Sequence, residues 1–467
     1  MKVKGYFLPC MEVESEKKIF RNKFGEVEVE VPHTTEYLVK SAIERMENTR
    51  EYLLKLPVRK IAESVGRASK NLSDKKYSLR KKLEKTLPVT TNLSPEMVSL
   101  SIDIIADTFT EDNMIEMLYS ELGDPEYLDK FKPSKAGKSK AFGKNIIINV
   151  FGSGGVPGIQ VLGIVNGLLI KSAVFSKPDS SEPILPVVYC EAISDVDPKL
   201  AENLVVLPWE GGNPKYSDVE NYVFGKRGEN DAVIVYGSKQ TINTIRRMVN
   251  RDSTFIGYPP RTSIIVIGKG KLNRNNIEDL TYRVAMDVCM YDQKACFSPQ
   301  IIYTEEGGEI SPEEFSEALA QKINKLNKKY PVGELTDDAK AKVNERKRTY
   351  IAQTILGKAR VYESEGGVII FDRNKTTERP ITYRTVQIIP IESLDEFFEL
   401  IKPFKDDLQT IGLEVGEKEF EYYVNSLSSL ESVSRITRPG SMYRFPLSIH
   451  HDGKRNYEGL IRWIDLI

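Results

Sequence analysis

Between residues 34 and 131 the apolar positions recur at helical spacing: Leu38, Ala42 and Met46, with Leu53 further on, fall on one face of a segment from 35 to 56. Further helices are expected at 58–67 and 74–85, and Ser94 with Pro95 behind it reads as the capped start of another. From about residue 145 the pattern changes. Apolar runs at 145–151, 173–177, 204–207, 232–236 and 263–267 alternate with helical stretches: one opened by Pro157 and running to about 170, one after Ser181 and Pro183, one from 239 to 249. That alternation predicts βαβ units and a mostly parallel sheet, which binds ligands beyond the carboxyl ends of its strands. After Gly268 come a helix at 276–291, a short polar turn and a strand at 300–303. Ser311 and Glu314, with Pro312 between them, form a capping box, and Ser393 with Glu396 repeats the device, so a second α/β unit is expected from about 257 to 435. The aromatic tail from Ser441 reads as strand-like, with a turn at 450–453.

The segment "KPSKAGKSKAFGK" breaks the alternation. Its Gly137, Lys138 and Ser139 invite a nucleotide-loop reading, but a P-loop requires glycine where Lys132 stands and a strand before the loop. A solvated linker is expected instead.

Composition narrows the function classes. The 467 residues suffice for two to three domains with an active-site cleft. Lys and Arg number 66 against 67 Asp and Glu, which leaves no electrostatic footprint for nucleic acid or an anionic membrane. Pro9, Glu12 and Glu14 interrupt the apolar residues at the start, and no stretch approaches the ~20 apolar residues of a membrane span, so a cytoplasmic protein is expected. Cysteines at 10, 190, 289 and 296 are too few for a disulfide framework, and with histidines only at 33, 450 and 451 no metal site is expected.

Three strand ends and one cysteine carry the candidate chemistry. "NVFGSGGVPGIQ", holding Gly154 and Gly155, is a glycine-rich turn between a strand and a helix, where backbone N–H groups can approach a phosphate or an oxyanion. Lys177 ends a strand, and Gly237 and Ser238 carry another strand into a helix N-terminus. Together the three sites suit a dinucleotide better than any one alone. Cys296 lies among Asp292, Gln293, Lys294 and Ser298, with Pro299 fixing the exit of the turn. A thiolate attacks thioesters and aldehydes, and a nearby cation in a polar turn lowers its pKa; the alternative is a buried thiol packed as a small apolar residue.

In order and spacing, "GGVPG", "GLLIKSAVFSKPDSSEP", "VIVYGS", "DQKACFSPQ" and the tail "FPLSIHHDGKRNYEGLIRW" resemble the aldehyde dehydrogenase superfamily, and more narrowly the LuxC-type acyl-CoA reductases. The resemblance implies an α/β, aldehyde dehydrogenase-like fold. It would have a mostly helical N-terminal region (1–140) packed on a Rossmann-like dinucleotide-binding domain (141–256), an α/β catalytic domain bearing the nucleophilic cysteine (257–440) and a C-terminal tail (441–467). It further implies that Cys296 accepts the acyl group, that Lys177 and Ser180 lie by the adenosine ribose, that Gly237 and Ser238 meet the pyrophosphate, and that Gly154 and Gly155 also border the cofactor.

The implied reaction is reduction of a medium- or long-chain acyl-CoA to an aldehyde through an S-acyl-cysteine, coenzyme A entering as part of the substrate. Ser180 stands where NAD-preferring relatives often carry a glutamate, which tilts the choice toward NADPH, with NADH as the alternative. Hydrolytic members of the superfamily carry a general-base glutamate where Gly257 stands here, and its loss protects an acyl-enzyme from water. Gly154 and Gly155 replace the usual Gly-Asn, which removes a side-chain oxyanion donor and leaves the task to backbone N–H groups of the glycine turn or of Cys296. Two rivals stay open: a coenzyme A-acylating aldehyde dehydrogenase acting on short aldehydes, and a catalytically silent subunit. His450 and His451 are expected in a turn or interface role, with orientation of the cysteine or of a leaving group as the alternative. Expected partners are acyl-transferring or acyl-activating proteins and further copies of the chain, homo-oligomers being usual in the superfamily.

Overall fold

The computed structural model describes residues 1–135, 137–152, 156–376 and 381–467. The chain forms two compact units: Met1–Pro259 with Pro446–Ile449 and Lys454–Ile467, and Pro260–Phe445 with His450–Gly453. Among the described residues no helix is long and apolar enough to cross a membrane.

The first unit opens with a sheet in the order β1-β3-β2, from β1 (Lys2–Lys4), β2 (Ser15–Asn22) and β3 (Gly25–Pro32). β2 buries no side chain, so it leaves no alternating signal, whereas β3 tucks Val27 and Val29 inward. Five helices follow: α1 (Glu36–Lys55), α2 (Val58–Ser73), α3 (Ser78–Thr91), α4 (Pro95–Thr108) and α5 (Glu111–Leu122). Thr35 caps α1 by accepting from the Leu38 N–H, and Ser94 caps α4 by accepting from that of Met97. The Lys-rich segment is not a linker. It forms β4 (Lys132–Ser134) and β5 (Gly137–Gly143), and β5 buries Ser139, Ala141 and Gly143 at alternate positions, with Lys138 exposed and Lys140 half-buried.

The parallel sheet of this unit comprises β6 (Ile146–Phe151), α6 (Ile159–Leu169), β7 (Ala173–Lys177), α7 (Ile184–Val196), α8 (Pro198–Ala201), β8 (Leu204–Val206), α9 (Ser217–Glu220), β9 (Ala232–Tyr236), α10 (Lys239–Met248) and β10 (Thr254–Tyr258). Strand order is β10-β9-β6-β7-β8. Every residue of β6 and β7 is buried, as expected of parallel strands covered on both faces. Val39, Ile43 and Met46 of α1 share a core with Ile146, Ile148 and Phe175 of the sheet. Chain order reverses between β6 and β9, so their carboxyl ends flank a switch-point crevice.

The second unit comprises β11 (Thr262–Ile267), α11 (Ile277–Cys289), β12 (Pro299–Glu305), α12 (Pro312–Asn327), α13 (Asp337–Ile355), β13 (Ala359–Ser364), β14 (Gly367–Asp372), β15 (Thr385–Ile391), α14 (Leu394–Ile401), β16 (Leu408–Glu414), α15 (Glu417–Ser428) and β17 (Arg435–Thr437). Its sheet runs β13-β14-β15-β12-β11-β16-β17, antiparallel only between β13 and β14. The run at 263–267 therefore belongs to this sheet, and β10 takes the edge place in the first one. The capping box of Ser311 and Glu314 is complete. At Ser393 only half forms, because the Glu396 carboxylate accepts from the Glu392 N–H instead. The tail returns to the first unit as β18 (Ile461–Leu466), giving a sheet in the order β18-β5-β4.

Candidate active site

At the crevice of the first unit, the turns after β6 and β9 touch: the Gly152 N–H donates to the Tyr236 carbonyl at 2.8 Å, and a Cβ on Gly152 would lie 3.5 Å from the Gly237 Cα. Gly154 and Gly155 fall outside the described residues. The Gly237 N–H donates to the Tyr258 carbonyl at 3.2 Å, so this glycine offers close approach rather than a free N–H. Ser238 caps α10, its hydroxyl accepting from the Thr241 N–H at 3.0 Å.

Lys177, at the carboxyl end of β7, is 7% exposed and sits 5.6 Å over the Trp209 ring. Burial pushes its ammonium pKa down, while Asp179 and Glu220 hold it up. Among the described residues its one hydrogen-bond acceptor is the Pro178 carbonyl at a long 3.5 Å. A buried ammonium with donors to spare suits the hydroxyls of a ribose, so the residues present fit a dinucleotide. Ser180 is exposed, and its carbonyl accepts from Lys18 Nζ at 3.0 Å. Asp179 turns back on its own loop, accepting from the Ser181 N–H at 2.8 Å.

In the second unit, Cys296 lies just before β12. Helix α11 stops at Cys289, two residues short of the expected end, because Tyr291, Asp292 and Gln293 all adopt left-handed backbone (φ 52°, 50° and 62°). Three consecutive non-glycine residues there cost roughly 1–2 kcal/mol each, and the surrounding structure must impose them. Asp292, 1% exposed, accepts from Arg384 Nε at 2.8 Å and from the Gly333 N–H at 3.0 Å, and Arg384 is itself fully buried. Gln293 bridges in the same way, donating to the Pro299 carbonyl at 2.8 Å and accepting from the Thr385 N–H at 2.9 Å. The turn that presents Cys296 is thus clamped to the start of β15.

Cys296 is exposed, as is Cys10, whereas Cys190 and Cys289 are buried. The Cys296 carbonyl accepts from Ser263 Oγ at 2.6 Å, and that hydroxyl accepts from the Thr410 N–H at 3.3 Å. Cys296, Ser263 and Gln409–Thr410 therefore gather at the amino ends of β12, β11 and β16. Tyr291, Phe297 and Phe445 form an aromatic chain with ring centroids 6.0 and 5.9 Å apart.

The thiol is not acidified, contrary to the expectation from a polar turn beside Lys294. Desolvation by surrounding protein, and then the Asp452 carboxylate, push it up to about 11, against a hydrogen bond from Gln409 and the charge of Arg435. Solvent still reaches the residue, and the resting sulfur is a neutral thiol at pH 7. Lys294 is itself desolvated, which pushes its pKa down.

Arg261, Gln409, Arg435 and Asp452 escaped the sequence reading. Gln409 donates to Asp452 at 2.6 Å, and Arg261 Nε donates to the other Asp452 oxygen at 3.0 Å. Arg435 stacks over Phe445 at 5.9 Å. The turn expected at 450–453 forms, closed by the Gly453 N–H donating to the His450 carbonyl, with Asp452 at φ 49°. Within it the residue that acts on the sulfur is Asp452, while His451 is desolvated and pushed toward its neutral form.

A family model described as acyl-CoA reductase (LuxC) matches residues 53–463. The long-chain acyl-protein thioester reductase of Photorhabdus luminescens is 24% identical over 458 residues, covering 97% of this chain and 90% of that protein. That of Vibrio harveyi is 24% identical over 419 residues, covering 89% and 83%. Among solved structures, aldehyde dehydrogenase 21 from Physcomitrella patens superposes with a TM-score of 0.75 at 12% identity, covering 99% of this chain and 97% of that one. A salicylaldehyde dehydrogenase from Pseudomonas putida G7 gives 0.72 at 11% identity, covering 99% and 98%. The fold is aldehyde dehydrogenase-like, as the sequence motifs implied.

Proposed function

The chain belongs to the LuxC family of acyl-CoA reductases, oxidoreductases on the aldehyde dehydrogenase fold, and from that premise we propose that it reduces a medium- or long-chain acyl thioester to an aldehyde, with NADPH, through an S-acyl-Cys296 intermediate. The observation that carries this reading is an exposed sulfur on a turn whose left-handed backbone is enforced by a buried ion pair. Strain of that kind is maintained where a side chain must be held in one place.

Cys296 loses its proton and its sulfur bonds to the thioester carbonyl carbon. The carbon–sulfur bond to the donor breaks, and the departing thiolate takes up a proton. The donor is coenzyme A or a protein thiol; the relatives' name, acyl-protein thioester reductase, supports including the second. A nicotinamide cofactor, when bound, supplies the hydride that converts the acyl carbon to the aldehyde oxidation level. Release of the aldehyde then returns the electron pair of the carbon–sulfur bond to Cys296. Lys177, Ser180, Gly237 and Ser238 would hold the dinucleotide, and Lys18 next to Ser180 favours a 2′-phosphate. Gly257 leaves no carboxylate in β10 to activate water, which supports reduction over hydrolysis.

Incubation with acyl-CoA radiolabelled in the acyl chain, followed by peptide mapping, should place the label on the Cys296 peptide. Cys296→Ser should lose both the label and NADPH-dependent aldehyde release, while Cys10→Ser keeps both. Folded wild-type protein that takes no label would end the proposal.

A further inference from the structure

A sulfur whose surroundings favour the neutral thiol needs a partner when it ionises. Ser263 is not that partner, since its hydroxyl proton goes to the Cys296 carbonyl and its oxygen accepts from the Thr410 N–H. That bridge nevertheless fixes the backbone of Cys296 against β16 at the residue next to Gln409. Gln409 is 8% exposed, and its carboxamide nitrogen carries two hydrogens. One is spent on Asp452, whose carboxylate is held from the other side by Arg261. Arg261 is anchored in turn by the Asp406 carbonyl at 3.2 Å.

We infer that Gln409 is a catalytic residue whose second N–H stabilises the Cys296 thiolate as it forms and departs, and that Asp452 is the positioning residue that orients the carboxamide for it. A carboxylate whose charge acts on a nucleophilic sulfur opposes its ionisation, and the chain tolerates it because it aims the donor. This inference rests on Cys296 being the reacting sulfur. The charges acting on that sulfur are Asp452, from the tail turn, and Arg435, from the start of β17; Arg261 and His451 act on Asp452 and on each other. Arg435 supplies a diffuse positive potential, whereas Gln409 supplies a directed hydrogen bond.

The test needs neither acyl donor nor cofactor, so its outcome is independent of whether the protein reduces thioesters. The rate of Cys296 carbamidomethylation is followed against pH in the full-length chain, peptide by peptide, because Cys10 is also exposed. Gln409→Met, close in shape but without a donor, should raise the midpoint by about one pH unit, roughly a tenfold loss of rate at fixed pH below it. Gln409→Glu should move it in the same direction, which keeps the test open should Gln409→Met not fold. An unmoved midpoint in either variant, with native circular dichroism, overturns the role of Gln409.

Asp452→Asn is then compared in the wild-type chain and in the Gln409→Met variant. Where Gln409→Met has already removed the donor, only the lost negative charge is felt, so the midpoint falls. In the wild-type chain that fall is offset by a misaimed carboxamide, so the shift is smaller or reversed. Equal shifts in the two backgrounds overturn the positioning role of Asp452. In turnover assays Gln409→Met should lower kcat for thioester reduction at least tenfold with little change in the cofactor KM.

Discussion

Gly257 has no room for a side chain: a Cβ there would come within 2.7 Å of Ile242 Cγ2 on α10. The absence of a carboxylate at this position of β10 is therefore a steric fact as well as a chemical one. Gly257→Ala should destabilise the protein by about 1–3 kcal/mol in urea unfolding, and Ile242→Ala in the same chain should restore part of that loss. At Cys296 the expected behaviour follows from the raised pKa. Below about 11 the thiolate fraction of the free enzyme grows with pH, so acylation by a thioester should accelerate from pH 7 to 10, close to tenfold per unit. A flat profile over that range would mean that the resting sulfur is already ionised. Cys296 itself was legible because polar residues flank it, in contrast to the apolar or helical contexts of Cys10, Cys190 and Cys289, although Cys10, expected buried on that ground, is exposed. The direction of the Cys296 pKa was not legible, because the protein that desolvates the sulfur, and after it the Asp452 carboxylate, come from remote stretches of chain, and the adjacent Lys294 pointed to the wrong sign.

The turn before β12 shows how elements hold a strained segment. Arg384 and Asp292 are both buried, so removing one partner leaves an uncompensated charge in the interior. Arg384→Met should cost about 3–5 kcal/mol, and Asp292→Asn with Arg384→Met should cost less than Arg384→Met alone, since the pair disappears together. Chemical unfolding of Arg384→Met, Asp292→Asn and the double variant beside wild type measures both. Full additivity of the two substitutions would show that the ion pair does not hold the turn. Elements whose burial matched their periodicity were readable: β6, β7 and β9 as apolar runs, α1 from its apolar spacing and α4 from its cap. Those without a one-sided pattern were not. β2 is polar on nearly all its exposed length, β5 hides its alternation among lysines, and all five residues of β10 are half-buried.

Across the whole molecule, the proposed preference for NADPH draws on parts of the chain that no local pattern connects. Lys18 on β2 reaches the Ser180 carbonyl across 162 positions of sequence, which sets a cation beside the residue that follows "KPD". In a dinucleotide-binding sheet the loop after the second strand meets the ribose, so a charge placed there distinguishes a 2′-phosphate from a 2′-hydroxyl. Ser180 was readable as the uncharged position, but Lys18 was not, because the N-terminal sheet left almost no signal of its own. Lys18 is exposed and its pull is screened, so its effect should be moderate: Lys18→Met should lower the preference for NADPH over NADH about fivefold, read as the ratio of kcat/KM values. Ser180→Glu brings a negative charge to the same place and should reverse the preference. The ionic strength of the assay separates the two causes that could produce such a change. An electrostatic contact weakens as salt rises, so the wild-type preference should decline toward that of Lys18→Met between low and high salt, while the variant stays nearly constant. A Lys18→Met variant that loses affinity for both cofactors alike would instead assign Lys18 to packing of the N-terminal sheet and return the choice of cofactor to Ser180 and Lys177 alone.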